Sequence, residues 1–154
     1  MSRIKTNDTS RLTKEDILRR LETFTEQYQL QSAPFVSFWL SAGAALVLHG
    51  LRTDTDDIDL SANKTIWMQV FNKMPVDTEI AKLDTSLGKN IILKLPGKID
   101  LHCDEHAPDI SKFVCIDGIY CYSLEQLLEQ KLLLNREKDQ ADIIALQKAI
   151  AERE

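Results

Sequence analysis

The sequence predicts an α+β domain: a mixed β-sheet packed by helices, with two further helices at the C-terminus. Three observations carry that expectation. Apolar residues recur at helical spacing near both ends of the chain, the middle third holds short segments that alternate with a period of two, and Pro-Gly and Asp-Gly turns separate several of those segments. A length of 154 residues suits one domain with a sizeable core, spanning 1–154, and leaves little for a second.

The elements follow in order. Residues 1–12 are polar and are expected to be flexible. From Thr13, a helix is expected over Lys14–Gln29, with Ile17, Leu18, Leu21, Phe24 and Tyr28 on one face, Thr13 as N-cap and Asp16 in the acidic first turn. Pro34 precedes a run of β-formers, Phe35–Leu40, read as a buried strand. Ser41-Ala42-Gly43 is a small-residue turn, and Ala44–His49 returns to a short apolar helix that stops at Gly50. Asp57-Ile58-Asp59-Leu60 alternates polar and apolar and reads as a strand with both carboxylates on one face. A helix over Lys64–Met74 turns Ile66, Val70 and Phe71 inward. Strands are expected at Glu79–Leu83, Asn90–Leu95, Lys98–Cys103, Phe113–Ile116 and Ile119–Tyr122, with hairpin turns at Pro96-Gly97 and Asp117-Gly118. Ser123 opens a C-terminal helical pair over 123–154, one helix carrying Leu124, Leu127, Leu128 and Leu132 and the other Ile143, Ile144, Leu146 and Ile150.

Composition bounds the function. A net charge of -5 excludes the overall basic field of a non-specific nucleic-acid binder. Three cysteines without a CxxC pair argue against a disulfide framework and fit a reducing cytoplasm. No signal-like segment opens the chain, and no window approaches the roughly 18 apolar residues of a membrane span.

The most informative segment is Asp57-Ile58-Asp59. Two carboxylates two residues apart on a strand are separated by roughly 6–7 Å along the chain, close enough to share a cation or a close pair of cations. Mg²⁺ takes carboxylate and phosphate oxygens, so the pair suits metal-bound triphosphate. Alternating acids on an exposed strand are common, and a third acid gives the pair its weight. Lys98-Ile99-Asp100-Leu101-His102 places Asp100 and His102 opposite Ile99, Leu101 and Cys103. If that strand pairs beside the first, Asp100 completes a three-carboxylate cluster that needs cations to relieve its repulsion. The Ser41-Ala42-Gly43 turn adds backbone N–H groups open to an anion.

The run from Ser41 to Leu60, SAGAALVLHGLRTDTDDIDL, resembles the signature of the polymerase-β-like nucleotidyltransferase superfamily, in which a Gly-Gly or Gly-Ser turn and short helix precede an Asp-x-Asp strand and a third Asp lies on a later strand. It is most similar to the small branch that includes abortive-infection-type toxin transferases. Lys131…Arg136-Glu137-Lys138-Asp139 is similar to the Lys-x4-Arg-x-Lys-Asp helix region of that branch. One position departs from the pattern: Ala42 stands where the first glycine is usual. Alanine keeps the backbone donor and adds only a methyl, so anion binding is expected to survive.

The resemblance implies transfer of a nucleoside monophosphate from an NTP to a hydroxyl acceptor (RNA such as tRNA, protein or small molecule) with release of pyrophosphate. It implies that Asp57 and Asp59 coordinate two Mg²⁺ ions. Asp100 would bind the metal that activates the acceptor hydroxyl, or serve as its base. Ser41, Ala42 and Gly43 would hold the phosphates, and Lys131 and Arg136 would neutralise charge, with Lys131 in the catalytic set; Lys138 and Asp139 stand outside that set. The alternative is a nucleotidyltransferase-like module of antitoxin type that acts through a protein partner. Retention of the three acids with Lys131 and Arg136 favours the enzyme.

Other features read more plainly. Arg52 fits a phosphate contact as well as a surface pair with Asp54 or Asp56, and it is left outside the site. His102, Asp104, Glu105 and His106 suggest zinc but lack a framework of four ligands. Cys103, Trp39, Trp67 and the leucines of 124–134 are expected to pack in the core.

Overall fold

The computed structural model describes residues 11–30, 37–85, 88–104 and 109–153. In chain order the elements are β1 (Leu12–Thr13), α1 (Lys14–Gln27), β2 (Phe38–Ser41), α2 (Ala42–Leu48), β3 (Asp54–Thr55), β4 (Ile58–Ala62), α3 (Lys64–Lys73), β5 (Glu79–Thr85), β6 (Gly88–Leu95), β7 (Ile99–Cys103), β8 (Phe113–Ile116), β9 (Ile119–Tyr122), α4 (Leu124–Leu134) and α5 (Gln140–Arg153). Seven strands form one mixed sheet in the order β5-β6-β7-β4-β2-β9-β8, and β1 and β3 form a separate two-stranded ribbon. The expected α+β architecture with two C-terminal helices is present.

Local chemistry explains most boundaries. Thr13 and Asp16 form a reciprocal capping box at the start of α1. Asn63 and Ser123 cap α3 and α4 by accepting from Ile66 N–H and Gln126 N–H. Asn135, in the left-handed conformation, ends α4. The β8–β9 hairpin turns through Asp117 and Gly118, both at positive φ, as a two-residue turn of that hand requires.

The core follows from register. Leu40 faces Leu60, Leu60 faces Leu101 and Leu101 faces Leu93, so four central strands contribute one row of fully buried leucines. Burying each such side chain contributes about 1.5–3 kcal/mol. Helices α2 and α3 pack on these strands, α1 packs on α2, and α5 reaches the sheet side through α4. Trp39 is buried edge-on against Phe113 and Tyr122, and Trp67 stacks on Phe71.

Several details differ from expectation. Ser41 belongs to β2, opposite Asp59, instead of the turn. Phe35 and Val36 lie outside the described residues. Of the N-terminal segment expected to be flexible, 1–10 lies outside the described residues. Arg11 bonds Asp54 and Asp56, and Leu12 is buried and pairs with Thr55. The two C-terminal helices meet with a narrower seam than their apolar residues suggest: Leu127, Ile143 and Leu146 are buried, whereas Leu132, Leu133 and Ile144 are at least half exposed. The turn of α4 that the pattern assigns to Leu132 is filled from its neighbouring position, where Lys131 is buried. Phe71 likewise sits at the surface, covering Trp67. Among the described residues no helix is long and apolar enough to cross a membrane.

Candidate active site

One polar row crosses five strands of the sheet. Ser41 faces Asp59, Asp59 faces Asp100, Asp100 faces Lys94, and Lys94 faces Glu79. Strands β4 and β7 are parallel neighbours, and neighbouring strands lie about 4.8 Å apart, so Asp59 and Asp100 are forced close together. Asp57 occupies the bend just before β4, one residue outside the strand predicted for it, and Ile58 N–H anchors this bend to the Lys98 carbonyl at 2.9 Å. One carboxylate oxygen each from Asp57, Asp59 and Asp100 lies within 4.8 Å of the others. Pairing of the two strands, on which the three-acid cluster depended, is therefore realised.

The crowding leaves an electrostatic mark. Burial, then the charges of Asp59 and Asp100, pushes the Asp57 carboxyl from 3.8 up to about 6. Burial also raises Asp100, against the opposing hydrogen bond from Lys94. Lys94 Nζ lies 3.0 Å from Asp100 Oδ2, and His102 Nε2 lies 3.2 Å from Asp59 Oδ1. Burial alone would lower the Lys94 ammonium, but its bond to Asp100 and the three acids raise it. Three half-buried carboxylates with converging oxygens and more negative charge than one lysine offsets are a hard donor set that fits Mg²⁺. Among the described residues this is the one group of three His, Cys, Asp or Glu side chains so arranged. Of the zinc suggestion, His102 is turned to Asp59, and Glu105 and His106 lie outside the described residues.

The small-residue turn adjoins the acids. The Ser41 hydroxyl donates to the Asp59 carbonyl at 3.4 Å. Ala42 has φ +53, the conformation that explains why glycine is usual there. Gly43 is needed for space: a Cβ there would come closer than 3.0 Å to Thr55 Oγ1, which real Cβ atoms essentially never do, and would stand 3.2 Å from Arg52 Nη1.

No protein-family model matches the sequence, and no curated protein matches it. Solved structures do. The lincosamide antibiotic adenylyltransferase LnuA, in its lincomycin-bound form, superposes with a TM-score of 0.59 at 19% identity, over 90% of this chain and 98% of that one. TM1012 of Thermotoga maritima, described as a nucleotidyltransferase, matches with a TM-score of 0.52 at 16% identity over 88% and 94%. JHP933 of Helicobacter pylori matches with a TM-score of 0.51 at 19% identity over 89% and 68%. This chain has the nucleotidyltransferase fold.

Within that nucleotidyltransferase fold, Lys131 and Arg136 stand at the junction of the C-terminal helices. Lys131 is 7% exposed, and its ammonium lies 3.0 Å from Asp139 Oδ1 and 3.2 Å from Asp142 Oδ2. Arg136 Nε donates to Asp139 Oδ2 at 2.6 Å. Although burial opposes ionisation of Asp139, the bonds from Arg136 and Lys131 outweigh it and hold the carboxyl below its usual range. The motif region is accordingly the end of α4, a left-handed cap at Asn135 and a 3₁₀ turn over Glu137–Asp139 before α5. Arg52 Nη1 lies 4.0 Å from Asp142 Oδ2, which connects this network to the Gly43 turn.

Sequence reasoning missed Lys94. The signal was available: the Pro96-Gly97 hairpin pairs Leu95 with Ile99, and counting back one residue sets Lys94 against Asp100.

Proposed function

We propose that the protein is a Mg²⁺-dependent nucleotidyltransferase, moving a nucleoside monophosphate from an NTP to a hydroxyl acceptor with release of pyrophosphate. The observation that carries this reading is the convergence of Asp57, Asp59 and Asp100 oxygens within 4.8 Å, next to the Ser41-Ala42-Gly43 turn of a nucleotidyltransferase fold. Asp57 and Asp59 are assigned to hold two Mg²⁺ ions and Asp100 to share in holding one of them. Bound Mg²⁺ supplies charge neutralisation at the phosphates and lowers the pKa of the acceptor hydroxyl.

The chain's own residues do the rest. Ser41, Ala42 and Gly43 hold the β- and γ-phosphates, through backbone N–H groups and the serine hydroxyl. Lys131 and Arg136 supply positive charge from the C-terminal side, held in place by Asp139. His102 and Lys94 orient Asp59 and Asp100. The acceptor oxygen bonds to the α-phosphorus, its proton passes to the Asp100 carboxylate, and the bond from that phosphorus to the β-phosphate oxygen breaks. Pyrophosphate leaves with the electron pair. RNA, protein and small-molecule hydroxyls are the proposed acceptor classes, within one catalytic domain acting in a reducing cytoplasm.

Incubation with each α-labelled NTP, Mg²⁺ and a cell extract tests the reading. A discrete labelled RNA, protein or small molecule is expected, lost in Asp57→Asn/Asp59→Asn. Exposed Leu132, Leu133 and Ile144 on the C-terminal helices favour a second reading, a toxin-antitoxin type module working through a protein partner. Absence of label with all four nucleotides from folded protein would select it.

A further inference from the structure

We infer that Arg52 is a triphosphate-binding residue, and that Asp142, fixed by Lys131, is the positioning residue that aims it. The inference rests on the nucleotide reading above and names the group that recognises the phosphate chain.

Sequence proximity offers Asp54 and Asp56 as partners for Arg52, but Arg11 bonds both. Arg52 instead turns its Nη1 to the Gly43 turn, 3.2 Å from the point a Cβ of residue 43 would occupy. Its ionic partner among the described residues is Asp142, at 4.0 Å, too long for a hydrogen bond. A guanidinium carries five donors in a planar fork that matches phosphate oxygens. Here the arginine side chain is about one-third exposed, and its Nη1 lies beside the turn next to the three acids, with donors left for a ligand.

The second half of the device is behind it. Asp142 Oδ2 lies 3.2 Å from the buried Lys131 ammonium, which Asp139 also grips at 3.0 Å. A carboxylate so held presents a negative charge in a fixed place, 4.0 Å from Arg52 Nη1. This arrangement joins α4 and α5 to the first turn of α2 by three charged side chains. It also gives Lys131 a use consistent with its burial: it fixes the residue that fixes Arg52.

The test is equilibrium binding of each Mg-NTP and the matching nucleoside monophosphate, on the full chain, with thermal melting of every variant as a folding control. Arg52→Ala is expected to weaken Mg-NTP binding about 10-fold or more and to leave monophosphate binding within about twofold, since the contact is to the phosphate chain. Arg52→Lys should recover part of the loss. Asp142→Asn should weaken triphosphate binding by a smaller factor and add nothing in an Arg52→Ala background, because it acts through the arginine. Wild-type affinity in Arg52→Ala, or equal loss of mono- and triphosphate, overturns the inference. A wild-type protein that binds no Mg-NTP overturns the nucleotide reading itself, a distinguishable failure.

Discussion

Gly43→Ala isolates the packing of the proposed phosphate turn from its charge. Gly43 does not need a left-handed backbone, so the penalty comes from volume. The new methyl would meet Thr55 Oγ1 closer than 3.0 Å and Thr55 Cβ at 3.3 Å. Thr55 is 3% exposed and paired with Leu12 in the β1–β3 ribbon, so it cannot simply rotate into solvent. Overpacking of this kind costs about 1–3 kcal/mol, while replacing glycine inside a helix returns up to about 1 kcal/mol. The net expectation is destabilisation of roughly 1–2 kcal/mol, equivalent to a fall of about 2–8 °C in melting temperature. Urea denaturation of wild type, Gly43→Ala, Thr55→Ala and the double variant forms a closed cycle. In Thr55→Ala the blocking hydroxyl is gone, so the cost of the added methyl should shrink by about 1 kcal/mol or more. An unchanged cost in that background would refute the steric explanation, as would a Gly43→Ala protein as stable as wild type.

Three further outcomes are expected. In Mg²⁺-free buffer Asp57→Asn should stabilise the protein at pH 7.5 by about 1–2 kcal/mol, since a move from 3.8 to about 6 corresponds to at most about 3 kcal/mol and solvent screens a half-buried group. The sign follows from linkage: a carboxyl raised in the folded state carries no penalty below about pH 4 and its full penalty above about pH 6, so the advantage of the neutral amide, measured by denaturation across pH 4–8, should vanish at the acid end. Ala42→Gly should stabilise the protein by about 0.5–1 kcal/mol in thermal or urea melts, because left-handed alanine costs about 1–2 kcal/mol and glycine's added unfolded freedom gives part of that back; a loss of stability would contradict the strain. Asp139→Ala should cost about 3 kcal/mol by the same measurement, as it removes one of two carboxylates from the buried Lys131 ammonium.

Alternation made the site legible. The period-two pattern around Asp57–Leu60 and Ile99–Cys103 fixed which residues share a face, and the observed register of Asp59 with Asp100 and Leu60 with Leu101 follows it. What alternation could not supply was adjacency across a long crossover: about forty residues of sequence separate these parallel neighbours, and nothing in either strand names the other as its partner. Lys94 escaped because a lysine on a strand reads as a solvated face, although the hairpin geometry placed it. The burial of Lys131 escaped in another way. Its sequence neighbours Leu132 and Leu133 are the apolar residues, yet they face outward while the ammonium is buried, a reversal that depends on acids supplied by the next turn and helix. Arg11 gives no signal because its partners, Asp54 and Asp56, are brought to it by a two-residue ribbon too short to announce itself.

The leucine row and the acid row occupy successive positions on the same strands, so each is the other's shadow. A slip of one residue of β7 against β4 would set Asp100 or His102 beside Leu60, sending Leu101 outward and Asp100 toward the core. Selection for a folded interior therefore preserves the placement of the acids without reference to catalysis. Whatever side chains stand at 59 and 100, the register that buries the leucines keeps those two positions side by side.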